Sequence, residues 1–206
     1  NTKLSNYSWF NLGGPAEYFF KPQNKSELLD FLKENKKDNF KITVLGAGSN
    51  TLIRDKGIKG VVIKLGQGFS DVNLIDKTTI NAGAACLDKR VSNFAKDNGI
   101  GNFEFLSCIP GSIGGAVIMN TGCYSYDISK IFVSLTAIDI NKCEEREIKR
   151  ENIQFHYRGT DLPDNLIVTS VKLKGKQELK EIIENKQNSF IEKKKLSQPS
   201  QVKTCG

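Results

Sequence analysis

The chain of 206 residues has a single histidine, a single methionine and a single tryptophan. With only His156 to draw on, neither a histidine-based metal site nor a Ser-His-Asp triad is expected, because both need a second or third partner of the right kind. His156 reads instead as a half-buried strand residue. The cysteines are Cys86, Cys108, Cys123, Cys143 and Cys205. Their odd number and the lack of any C-x-x-C pair argue against a disulfide framework or a zinc site, and for free thiols in a reducing cytoplasm. No run approaches the roughly 18 consecutive apolar residues of a membrane span. The opening "NTKLSNYSWF" has no basic region leading into an apolar one, so no signal peptide is expected. The first residue is Asn and the last are "KTCG", and the chain reads as a fragment.

What is present is a moderate excess of positive charge, +7, and an apolar fraction of 38%. The apolar content suits one large domain or two small ones with a real core. The lysines are interleaved with acids, and the one dense run, "EKKKL" (192–196), reads as the solvated face of a late helix. No nucleic-acid partner follows from the charge; an anionic small molecule is compatible with it.

Periodicity divides the chain into strands and helices in mixed order, an α+β or α/β pattern. "AEYFFKP" (16–22) predicts a short strand and "NKSELLDFLKENKK" an amphipathic helix with Leu28, Leu29, Phe31 and Leu32 along one stripe. "KITVLG" (41–46) predicts a buried strand, followed by strands at "GVVIKL" (60–65) and "TTINAG" (78–83). "CLDKRVSNFAKDNG" predicts a helix with Leu87, Val91, Phe94 and Ala95 on its apolar face and Gly99 just past its end. Strands at 131–140 and 166–174 and a long helix from about residue 177 complete the pattern.

Two glycine-rich stretches carry the chemistry. "LGAGSN" follows a strand directly, and a tight turn there can aim several backbone N–H groups at one anion. The candidates are Gly46, Ala47, Gly48, Ser49 and Asn50. The dinucleotide fingerprint G-x-G-x-x-G fails, because Thr51 stands at its last glycine and a loop and strand follow in place of a helix. "IPGSIGGAVIMNTGCY" (109–124) is the second stretch. Pro110 can open a helical turn, leaving the N–H groups of Gly111, Ser112 and Ile113 for a phosphate. Gly114 and Gly115 remove side chains where a planar ring or a second backbone must approach. Close helix–strand packing without a ligand is the competing reading of these glycines, as a plain turn is for the first loop. In "FHYRGTDLP" (155–163), Tyr157 and Arg158 could hold a carboxylate, since a guanidinium binds one through two parallel hydrogen bonds; a surface arginine is the alternative.

Taken in order and spacing, "NYSWFNLGGPAEYFFKP", "VLGAGSNTLIRDKGIKGVVIKL", "NFEFLSCIPGSIGGAVIMNTGCY" and "FHYRGTDLP" resemble one family, the UDP-N-acetylenolpyruvoylglucosamine reductases (UDP-N-acetylmuramate dehydrogenases). The resemblance covers nearly the whole chain. It implies an α+β fold, the two-lobed FAD-binding domain of the vanillyl-alcohol-oxidase (PCMH) type. The expected division is residues 1–175 as that domain, with lobes of roughly 1–70 and 71–175, and 176–206 as a helix and linker toward a substrate domain.

The resemblance also implies an activity. NADPH reduces bound FAD, and the enolpyruvyl ether of UDP-GlcNAc-enolpyruvate takes a hydride at its β-carbon and a proton at its α-carbon, a step of peptidoglycan precursor synthesis for the cell wall. The implied setting is the cytoplasm, the implied partner a small-molecule substrate, and the implied oligomeric state a monomer. Arg158 matches the family's catalytic arginine, and Gly46–Asn50 matches its FAD diphosphate loop. Pro110, Gly111, Ser112, Gly114, Gly115 and Asn120 match the second flavin segment, and Tyr124 and Tyr157 are further substrate-side candidates. Gly206 matches the residue before the family's proton-donating serine. That serine, a late glutamate and the substrate domain are expected to be absent, so the chain itself is expected not to turn over substrate. Thr121, Cys123 and Ser125 stand where the family usually has two alanines and a glycine. Two alternatives remain at this point: another FAD-dependent oxidoreductase of the same superfamily, and a non-catalytic nucleotide-binding module. His156, the only histidine available for covalent flavin attachment, lies far in sequence from both glycine loops.

Overall fold

The computed structural model describes residues 2–198. Cys205 and Gly206, on which two expectations rest, lie outside the described residues.

The first sheet contains β1 (Thr2–Lys3), β2 (Pro15–Phe20), β3 (Ile42–Val44) and β4 (Ile58–Ile63), in the order β1-β2-β4-β3. β2 and β3 both run parallel to β4, while β1 is antiparallel to β2. Parallel neighbours need a connection that carries the chain back to the starting end of the sheet. Between β2 and β3 that connection is α1 (Lys25–Asp38). Between β3 and β4 it is the helix-free segment 45–57, which begins with the glycine loop.

The second sheet is antiparallel: β5 (Val72–Leu74), β6 (Thr79–Gly83), β10 (Phe132–Asp139), β11 (Glu144–Lys149) and β14 (Leu166–Lys174), ordered β11-β10-β14-β6-β5. Three two-residue ladders join the periphery. β7 (Ile100–Gly101) pairs with β15 (Lys176–Gln177), β8 (Gly122–Cys123) with β9 (Tyr126–Asp127), and β12 (Phe155–His156) with β13 (Gly159–Thr160). α2 (Asp88–Asp97), α3 (Ile113–Ile118) and α4 (Lys180–Ser197) complete the elements.

α1 is the hinge of the packing. Asn24 caps its start by accepting from the Glu27 N–H at 2.9 Å, and Glu27 accepts from the Gln23 N–H at 2.7 Å, a reciprocal arrangement that satisfies otherwise orphaned donors. Its apolar stripe buries Leu28 and Leu32 with Val61 and Ile63 of the first sheet and Ile138 and Ile167 of the second. One helix thereby ties the two sheets together. The main core lies on the other side, where Val91, Ala95, Ile113, Ala116 and Val117 pack with Ile80, Leu135 and Val171. α4 joins it through Phe190 and also buries Ile183 and Gln187.

Three expectations change. The strand at 41–46 is not buried: β3 pairs with β4 alone, so it is an edge strand, and Val44 is 44% exposed. Leu87 is off the apolar face of α2, since it is the extended residue before the helix and is 56% exposed. His156 is exposed on the short β12. Gly99 does follow α2 with φ +67, the left-handed position that glycine supplies most cheaply at a helix end.

Candidate functional site

The first glycine loop leaves the carboxyl end of β3. In open sheets with parallel strands, that end is where ligands bind. Among the described residues, no N–H from Ala47 to Asn50 donates to a backbone acceptor, and the side chains of Ser49 and Asn50 make no hydrogen bond. Gly48 has φ +73, and a Cβ there would overlap the Tyr7 carbonyl. Tyr7 and its neighbours are thus strapped across the loop, and Trp9 N–H donates to Gly48 O at 3.0 Å. This is a cradle of free donors whose shape only glycine permits.

The second segment meets the first. A Cβ on Gly46 would lie 2.9 Å from Ser112 Oγ, so the two glycine stretches, far apart in sequence, are in contact. Here the sequence reading needs correction. Pro110 does not open the helix; α3 starts at Ile113 with Ser112 as its N-cap. Residues 111–113 instead form a bridge to Leu87, with Asp88 N–H donating to Gly111 O and Ile113 N–H to Cys86 O. The N–H of Ile113 is therefore engaged, as is that of Gly114, on Ala84 O at 2.9 Å. The N–H groups of Gly111, Ser112 and Gly115 have no backbone acceptor among the described residues.

The paired glycines separate into two roles. A Cβ on Gly114 would press on Ala84, 2.9 Å from its Cβ and 3.1 Å from its carbonyl, so Gly114 serves close helix–strand packing. At Gly115 the nearest atom is Ser112 Oγ at 3.7 Å. Nothing of the protein's own requires that position to be bare, and the space beside it belongs to something else.

Asp88 lies under this segment. Its carboxyl is fully buried, neither oxygen has a hydrogen-bond partner among the described residues, and a Cβ on Gly111 would collide with it. Burial, which penalises the charged form, pushes its pKa up to about 8. The folded chain then keeps this proton to about pH 8, whereas an unfolded Asp loses it near pH 4. Between those values the native state binds more protons, so stability falls as pH rises, by up to about 1.4 kcal/mol per pH unit. Asp88→Asn is expected to flatten this slope and to raise the melting temperature most at pH 8. Thermal melts at pH 5, 6.5 and 8 check it; an unchanged slope in the variant would exonerate Asp88.

Arg158 sits in the turn of the β12–β13 hairpin with φ +60. It is exposed, makes no ion pair among the described residues, and lies 5.7 Å from the ring centre of Tyr157, itself 90% exposed. The hairpin is anchored to the far end of α3. Asn120 Nδ2 donates to His156 O at 3.0 Å, and Thr160 Oγ1 donates to Ile118 O at 3.3 Å. Asn120 Oδ1 also accepts from Ser129 N–H at 3.2 Å. The structure thus gives Asn120 a tethering task, and one short helix carries the glycine face at its start and the free arginine at its end. Tyr124 stands apart from this set. It occupies the β8–β9 turn with φ +52 and stacks on Phe190 of α4, ring centres 5.3 Å apart.

Sequence reasoning missed Tyr7, Trp9 and Lys64, which surround the first loop. Lys64 Nζ donates to Gly46 O at 2.5 Å. Its signal was its position, the residue immediately after the parallel strand next to the glycine turn.

The glycine cradle, the bare Gly115 face and the donors around them fit a large planar cofactor carrying phosphates. The comparisons agree. A family model described as "FAD binding domain" matches residues 16–147. The chain has the PCMH-type fold; an alkyldihydroxyacetonephosphate synthase structure shares it with a TM-score of 0.55 at 13% identity, over 77% of this chain and 34% of that one. Within that class the likeness is much closer to one group. The UDP-N-acetylenolpyruvoylglucosamine reductase of Pelagibacter ubique is 46% identical over 203 residues, 98% of this chain and 67% of the relative, and that of Rickettsia bellii is 41% identical over the same shares. The crystal structure of the Thermus caldophilus reductase superposes with a TM-score of 0.86 at 29% identity, covering all of this chain and 71% of that one. The chain belongs to the UDP-N-acetylenolpyruvoylglucosamine reductase family.

Proposed function

We propose that the chain is the FAD-holding part of an enzyme that reduces UDP-N-acetylglucosamine enolpyruvate to UDP-N-acetylmuramate with NADPH, an oxidoreductase acting on a CH–CH group in cytoplasmic cell-wall precursor synthesis. The observation that carries this reading is the geometry of α3, which has an uncovered glycine face at one end and an unpaired guanidinium tethered to the other. The lobes are proposed as roughly 1–70 and 71–175, with 176–206 leading onward, and the protein as a monomer.

Bound FAD would supply the hydride. The chain's residues do the rest. The Ala47–Asn50 N–H groups, with Ser49 and Asn50, receive the diphosphate; Gly111, Ser112 and Gly115 receive the ring system. Arg158, with Tyr157 beside it, holds the substrate carboxylate and offsets the negative charge that develops next to it as the β-carbon is reduced. Asn120 holds the hairpin at the same end of α3, and Tyr124, in the β8–β9 turn, is a further substrate-side candidate.

The purified chain is expected to carry, or take up stoichiometrically, a flavin that acid releases intact as FAD. A protein that stays colourless after incubation with FAD would overturn the reading. Release of FMN only, or a flavin that acid cannot extract, would contradict the proposed attachment.

A further inference from the structure

A cavity of about 410 Å³ opens beside the first glycine loop, lined by Asn6, Tyr7, Ser8, Trp9, Asn11, Ala47 and Lys64. Lys64 is the only charged residue in this lining, and no carboxylate offsets it: neither Lys64 nor nearby Lys21 has an ion-pair partner among the described residues. The ammonium is half-buried, 5.9 Å from the centre of the Tyr7 ring, and fixed by its bond to Gly46 O. Tyr7 is in turn stacked on Phe19, ring centres 4.7 Å apart. Burial, and secondarily Lys21, lower the pKa of Lys64, because desolvation and a like charge both disfavour the ammonium. An uncompensated charge held in place against a turn of free N–H groups is what an anion site requires.

We infer that the Lys64 ammonium is the counter-ion of the cofactor's diphosphate, bound jointly with the Ala47–Asn50 N–H groups. The inference rests on the FAD reading of the glycine loop and adds a residue to it. One donor of Lys64 goes to Gly46 O, leaving two for phosphate oxygens. Because the contribution is charge-assisted and specific to phosphate, it must disappear for a flavin without phosphates.

The test measures dissociation constants of the 206-residue chain for FAD and for riboflavin, by flavin fluorescence, at low and moderate salt. Lys64→Gln keeps a donor for Gly46 O but removes the charge. It is expected to weaken FAD roughly ten- to a hundredfold, to leave riboflavin unchanged and to reduce the salt dependence of FAD binding. Lys64→Arg is expected to restore most of the loss. Fluorescence of Trp9, the sole tryptophan, gives a second readout in the same cavity and is expected to respond to ADP in the parent and far less in Lys64→Gln. Equal weakening of FAD and riboflavin, or no weakening of FAD, overturns the inference. If Lys64→Gln binds FAD normally while Gly115→Val loses it, the FAD reading survives and the role of Lys64 does not. If both variants bind FAD normally, the inference and the placement of the cofactor against Gly115 both fail; if the parent chain itself binds no FAD, the FAD reading fails.

Discussion

Gly115→Val is expected to keep its fold and to lose FAD. The two halves of this result come from one observation, the empty surroundings of Gly115. A Cβ there meets nothing closer than Ser112 Oγ at 3.7 Å, so a side chain can leave this position without pressing on the protein's own atoms. The Gly115→Ala variant is even expected to gain about 0.5–1 kcal/mol in the absence of cofactor, since alanine replaces glycine inside a helix. The same atoms would occupy the space assigned to the flavin ring, and overlap with a rigid planar group cannot be relieved by a rotamer change. Retained flavin absorbance after gel filtration, set beside a melting curve, reads both effects at once. Full flavin content in Gly115→Val would remove the ring from this face. The other glycines give no such clean contrast. Gly114→Ala pushes on the Ala84 backbone and should destabilise the protein with or without cofactor. Gly48→Val, attractive from sequence because it sits in the presumed diphosphate turn, would drive a side chain into the Tyr7 carbonyl at φ +73. It would lose cofactor and local structure together.

The contrast among these glycines marks how far sequence reasoning reached. The alternation of apolar residues placed β2, β4, β6, β10 and β14, and helical spacing placed α1, α2 and α4, because burial writes periodicity into the chain. The glycine density of 111–115 was visible as a demand for close approach, but the identity of what approaches was not. Gly114 faces Ala84, 30 residues earlier, and Gly115 faces open space, and no local pattern distinguishes two adjacent glycines. For the same reason Pro110 suggested a helix start that the structure puts at Ile113: a long-range bridge to Leu87 claims the intervening residues. β3 carries as apolar a sequence as an interior strand, and only the strand order exposes it. Lys64 lies within the stretch predicted as the strand 60–65 and drew no separate reading, since its significance lies in the lack of a nearby acid, which is a property of the folded surface. The family resemblance supplied roles for the loops and for Arg158, while the tether through Asn120 became apparent only in three dimensions.

Arg158→Ala, in the chain extended to the length of its relatives, is expected to slow transfer from reduced flavin to the enolpyruvyl substrate on the order of a hundredfold or more. FAD binding and the NADPH half-reaction should stay near normal, because Arg158 lies at the end of α3 away from the glycine face. Its guanidinium is uncommitted: it is exposed and makes no ion pair among the described residues, so truncation frees no buried partner and stability should change little. The geometry of a carboxylate, two oxygens in one plane, matches a guanidinium and not an ammonium. Arg158→Lys is therefore expected to fall between the parent and Ala, keeping the charge but losing two-point contact. Asn120→Ala supplies the companion measurement. With its bond to His156 O removed, the hairpin carrying Arg158 is held to α3 by Thr160 alone among the side chains that tie it there. The same step should then slow less than in Arg158→Ala, and adding Asn120→Ala to Arg158→Ala should cost little more, since a tether has no effect once its cargo is gone. Rapid-mixing measurement of the two half-reactions separates the cases. Equal slowing of both half-reactions, or of neither, would remove Arg158 from catalysis. Full additivity of the two substitutions would mean that Asn120 acts on the site independently of the arginine it anchors.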